Sequence, residues 1–91
     1  MYRPETIREW IDEGKIEKAV DALNEYLQSE NPGKDEAYYL LGHIDRKKGD
    51  WQGALNNYRK AMDLNPKSPA VQAYRSIQDI LNYYYKEMYN Q

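Results

Sequence analysis

The chain has 91 residues, a net charge of −2 and no cysteine, with 41% hydrophobic and 31% charged residues. That is enough for one domain with a thin core, and it excludes disulfides, thiolate chemistry and Cys-ligated metal. No apolar run reaches the roughly 18 residues of a membrane span, and the weak negative charge argues against a general nucleic-acid surface.

Gly and Pro cut the chain into five helix-prone segments. Pro4 suits the first turn of a helix over residues 4–13, and Gly14 suits the left-handed position that closes it. A second helix over 16–29 carries Ala19, Val20, Leu23, Tyr26 and Leu27, one stripe at helical spacing. Asn31-Pro32-Gly33 ends it in a turn. A third helix over 35–48 closes at Gly49, and Asp50 is a good N-cap for a fourth over 51–64. That fourth helix repeats the stripe as Ala54, Leu55, Tyr58, Ala61 and Met62. Asn65-Pro66 marks the next turn. Ser68-Pro69 is a cap followed by a first-turn proline, starting a last helix over 69–89.

The two stripes lie 35 residues apart, while Pro32 and Pro66 lie 34 apart. The chain therefore repeats itself, with one extra residue in the first copy. Short turns force neighbouring helices antiparallel, and helix pairs at this period stack so that each unit meets only its neighbours.

Residues 35–68 hold Tyr38, Leu41-Gly42, Gly49-Asp50-Trp51, Ala54, Tyr58, Ala61 and Pro66. In this arrangement they resemble one tetratricopeptide repeat, a helix, a tight turn and a helix in about 34 residues. Small residues let backbones approach, and Tyr38, Leu41 and Tyr58 fill the gaps between. Asp45 departs from the pattern, which usually has a large apolar residue there; Ile44 beside it is expected to compensate. Residues 1–34 resemble a degenerate repeat: Ala19, Leu23 and Pro32 fit, whereas Arg8 and Tyr26 stand where small residues are usual. Residues 69–91 resemble the lone closing helix of such arrays. The resemblance implies a single all-α domain over 1–91, with five helices as antiparallel hairpins in a short right-handed stack of about two and a half repeats.

Little here points to catalysis. His43 is the single histidine, and Thr6, Ser29, Ser68 and Ser76 are the only aliphatic hydroxyls. Neither a Ser-His-Asp set nor a Gly-rich phosphate loop can be drawn. No cofactor or metal is expected, and with no apolar leader the cytoplasm is the expected compartment.

The third helix places Tyr39, His43 and Lys47 at i, i+4 and i+8, with Arg46 beside them. In tetratricopeptide repeats this face lines the concave groove that holds a peptide or a partner helix. The resemblance therefore implies a binding site at Tyr39, His43, Arg46 and Lys47, with ring, imidazole and charge offered to a partner. The same stripe also reads as the solvated face of a surface helix. The clamp by which some relatives grip a terminal carboxylate is not matched, since Tyr39, Leu40 and His43 stand in its place.

The last helix carries two apolar stripes: Val71, Tyr74, Leu81, Tyr85 and Met88; and Ala70, Ala73, Ile77, Ile80 and Tyr84. Together they exceed what one neighbour needs. Ile77, Ile80 and Tyr84 are therefore expected to flank the groove, unless the helix wedges deeper against the first pair. The expected function is a non-catalytic interaction module for a protein or peptide partner. The alternative is self-association as a homodimer through the last helix.

Overall fold

Three glycines set the corners of the chain, because each adopts a positive φ that other residues avoid: Gly14 at 84°, Gly33 at 87° and Gly49 at 81°. The structure, a computed structural model, describes residues 3–89, with side chains as far as Tyr83. Its helices are α1 (Pro4–Asp12), α2 (Ile16–Gln28), α3 (Lys34–Lys47), α4 (Trp51–Leu64) and α5 (Ala70–Tyr89). No strand occurs among the described residues. This is the all-α arrangement of a small tetratricopeptide-like fold.

The two hairpin turns are made alike. At the end of α1 the Gly14 N–H donates to the Ile11 carbonyl, and the Lys15 N–H to the Trp10 carbonyl. At the end of α3 the Gly49 N–H donates to Arg46, and the Asp50 N–H to Asp45. Both are the paired backbone bonds of a Schellman motif, which satisfy the last carbonyls of a helix. Each bond in one turn recurs 35 residues later in the other. Asp50 then caps α4, its carboxylate accepting from the Gly53 N–H at 3.0 Å. Lys15, at the matching place before α2, makes no such bond. At the α4–α5 corner the Ser68 hydroxyl accepts from the Ala70 N–H at 3.1 Å. Asn65 donates its amide to Asp35 at 3.1 Å, tying the end of α4 to the start of α3.

Two core clusters follow. Ile7, Ile11, Ala19, Leu23, Ala37, Leu40 and Ile44 join α1, α2 and α3. Ala54, Tyr58, Ala61, Ala70 and Ile77 join α4 to α5. Each fully buried Ile or Leu side chain contributes roughly 1.5–3 kcal/mol. Asp45, where an apolar residue is usual, is half-buried and accepts from the Asn57 amide at 2.7 Å. A polar bond between α3 and α4 thus replaces apolar packing, while Ile44 is buried in the first cluster.

The apolar excess of α5 is spent inside the fold as far as the side chains are described. Ala70 and Ile77 have no exposed surface, and Ala73, Tyr74 and Leu81 pack against the same cluster. Members of both stripes are used, because the helix lies deep against α4.

Candidate functional site

Gly42 sits mid-helix on α3, where glycine costs about 1 kcal/mol relative to alanine. Its use is spatial. A Cβ at this position would collide with the ring of Tyr58 on α4. The missing side chain lets that ring, wholly buried, pass across α3 and reach the next residue. Its hydroxyl lies 2.6 Å from His43 Nδ1. One turn back, Tyr39 meets His43 edge-on, with ring centroids 4.2 Å apart. Tyr58 and Tyr39 are 5.8 Å apart and tilted. Three rings from two helices therefore form one cluster, the two tyrosines within the spacing at which aromatic pairs attract.

The cluster is electrically unusual. Burial holds the His43 imidazole below its ordinary value of 6.5, and the Arg8 and Arg46 guanidinium groups push the same way. Burial also raises the Tyr58 phenol to about 12, against the opposing pull of Arg46. At neutral pH the bonded pair is thus an uncharged imidazole and an uncharged phenol.

Of the four α3 residues expected to act together, the fold gathers three. Tyr39, His43 and Arg46 are half-buried around the cluster. Lys47 instead donates to the Ile11 carbonyl at 2.8 Å. It bridges the C-terminal ends of α3 and α1, where a cation complements exposed carbonyls.

The residues expected from the last helix divide. Ile77 is corrected to a core residue: it has no exposed surface and packs in the cluster of Tyr58 and Ala61. Ile80 is half-buried. The side chain of Tyr84 lies outside the described residues. Leu40, considered above as a groove position, is fully buried in the first cluster.

Two participants were not expected. Tyr58 read as packing alone, since its hydroxyl reaches His43 only because Gly42 has no side chain. Arg8 read as a misfit at a small-residue position, in a 34-residue register. The two Schellman turns repeat at 35, which matches Ile7 to Gly42 and Arg8 to His43. Arg8 therefore stands where α1 presents the counterpart of the imidazole.

A separate cleft of about 340 Å³ opens between α1 and α2, lined among others by Trp10, Tyr26, Arg3 and Glu25. Lys18 covers the Trp10 ring, its nitrogen 4.6 Å from the centroid. The cleft brings together opposite charges and lies away from the ring cluster. The sequence hinted at it through Tyr26, a large residue where a small one is usual. No group of three His, Cys, Asp or Glu residues among those described could hold a metal ion, and no described helix is long and apolar enough to cross a membrane.

Stacked hairpins with tight Schellman corners and small residues at the crossings define a helical repeat protein. Residues 35–68 match the family model of the tetratricopeptide repeat. It is similar over its whole length to the solution NMR structure of Bacteroides fragilis protein BF1650, at 59% identity and a TM-score of 0.86, covering 92% of that chain. Photosystem I assembly protein Ycf3 of Rippkaea orientalis is 34% identical over 61 residues, 65% of this chain and 35% of its own length. The probable biofilm formation methyltransferase WspC of Pseudomonas putida is 41% identical over 56 residues, 62% of this chain and 13% of its own length. The chain thus spans about a third or less of the curated relatives it matches. Tetratricopeptide repeats generally mediate protein–protein interaction.

Proposed function

We propose that the chain is a non-catalytic interaction module that holds a peptide or helix of a protein partner across the Tyr39–His43–Arg46 face of α3, with Arg8 of α1 alongside. The observation that carries this reading is the ring cluster. It brings the Tyr39 ring, the His43 imidazole and the Arg46 guanidinium to a half-buried face of α3, backed by Tyr58 in the second core cluster. Such groups are the common anchors of interfaces. The family supports a binding role, and a relative named as an assembly protein fits it. WspC matches over too small a share of its length to lend its activity. A face this small gives modest affinity, because little area is buried.

The test is selection of binding peptides from a random library, followed by amide-shift mapping by NMR. Shifts should centre on residues 39–46, and Tyr39→Ala should weaken binding about tenfold. Peptides that instead perturb only the cleft at Trp10 and Tyr26 would move the site there. Self-association through α5 is a weaker reading, since the described members of its apolar stripes largely serve the core. A monomer in light scattering over a concentration series would remove it.

A further inference from the structure

We infer that the cleft between α1 and α2 binds a free zwitterionic amino acid with an aromatic or bulky aliphatic side chain. Its carboxylate meets Arg3, its ammonium meets Glu25, and its side chain lies against Trp10, Ala22 and Tyr26. This site is separate from the α3 face and does not depend on it.

The internal repeat shows that the cleft is a departure from the fold's own pattern. In the 35-residue register of the turns, the same place in the α3–α4 hairpin is closed twice by side chains. Asn57 donates to Asp45 at 2.7 Å, and the Lys60 nitrogen lies 5.4 Å from the centroid of the Tyr38 ring. The counterparts of Asn57 and Asp45 are Ala22 and Trp10, and those of Lys60 and Tyr38 are Glu25 and Arg3. Ala22 has no polar group to offer across the helices. Arg3 and Glu25 carry opposite charges yet do not pair, since the single ion pair among the described residues is Lys15 with Glu13. The opening of about 340 Å³ is lined by all four counterparts.

Its walls are already held in place. Ile7 of the first core cluster forms part of the lining, and Trp10, Ala22 and Tyr26 pack against that cluster. The Tyr26 hydroxyl donates to the Pro32 carbonyl, and the Ser29 hydroxyl donates to the Tyr26 carbonyl at 2.5 Å. Such a cleft is formed before a ligand arrives.

Charge and size select the ligand. An anion alone meets Glu25, and a cation alone meets Arg3. One face of the Trp10 ring already holds the Lys18 ammonium, 4.6 Å from its centroid, so a purely cationic ligand meets like charge there as well. A molecule carrying both charges satisfies both walls, its carboxylate taking the paired N–H donors of the guanidinium. The volume lies at the small end of ligand pockets, which suits one amino acid. Its apolar side chain covers the rings and the Ala22 methyl.

The experiment titrates phenylalanine into the intact chain at about pH 6.5, where both end groups of the ligand are charged, and follows amide and indole N–H shifts by NMR. Saturable shifts in the millimolar range should centre on residues 3–10 and 22–31, and on the indole of Trp10 rather than that of Trp51. N-acetylphenylalanine and phenylalaninamide, each lacking one charge, should bind about threefold or more weakly. Glu25→Gln should weaken phenylalanine about threefold and spare N-acetylphenylalanine, and Arg3→Gln should do the same while sparing phenylalaninamide. Both changes are at exposed positions, so the amide spectrum should stay that of the folded chain. No saturable shift, shifts centred on Tyr39 and His43 instead, or equal binding of all three ligands would each overturn the inference. None of these results bears on peptide binding at the α3 face, which is read separately by the peptide selection.

Discussion

The two hairpins solve the same packing problem with opposite pairs of side chains. At matching places in the 35-residue register, α1–α2 has Ile7 and Leu23, whereas α3–α4 has Gly42 and Tyr58. Ile7 and Leu23 are both buried in one cluster, two mid-sized aliphatics sharing the space. In the second hairpin one partner contributes no side chain and the other a full ring. Either pair fills the gap. Only the second brings a hydroxyl through the interface to the far side of the helix, where it meets His43. At these two positions the first hairpin only packs; the second trades some helix propensity at Gly42 for a polar group delivered to a face.

The largest test of that contrast exchanges the solutions. Gly42→Ile should destabilise the chain by about 3 kcal/mol, because the added atoms meet the Tyr58 ring. The double variant Gly42→Ile with Tyr58→Leu recreates the first hairpin's pair, and should recover at least about half of the loss in urea unfolding, through the coupling expected of residues in contact. A double variant as unstable as the single one would show that the two interfaces are not interchangeable.

The turns give a smaller contrast. Both carry the same Schellman bonds, but only Asp50 adds a side-chain cap. Asp50→Ala should cost about 1 kcal/mol, and Lys15→Asp should add about 0.5–1 kcal/mol by supplying the absent cap. The exposed Lys15–Glu13 pair lost in the second change is worth little. Melting temperatures should move in opposite directions, by about 4–8 °C per kcal/mol in a domain this small.

The smallest effect is the imidazole's own. The unfolded chain takes up the His43 proton near pH 6.5, while burial and two guanidinium groups make the folded chain resist it. The folded chain therefore loses stability as pH falls from about 7.5 through 6.5 and below. His43→Gln should remove that part of the slope in denaturation curves measured across the same range.

The helices were legible because their ends are written in local chemistry. Gly14, Gly49, Asp50 and Ser68-Pro69 each act within a few residues, and all act as their types suggest. The site was legible only along one helix. Tyr39 and His43 share a face by periodicity, but Tyr58 is 15 residues from His43 and joins it through a side chain that Gly42 lacks. Arg8 was misplaced because Pro32 and Pro66 suggest a repeat of 34, whereas the turns that orient α1 and α3 repeat at 35. Ile77 was misplaced because a wide apolar surface on a terminal helix says how much is buried and not against what.

The bond from Asn65 to Asp35 has one more consequence. It fastens the open end of the α3–α4 pair, while the Schellman turn and the Asp50 cap fasten the other. Held at both ends, this pair should breathe as one cooperative unit, its amides exchanging with solvent together and more slowly than those of α1. The rings around His43 would then keep their spacing even while the outer helices fray.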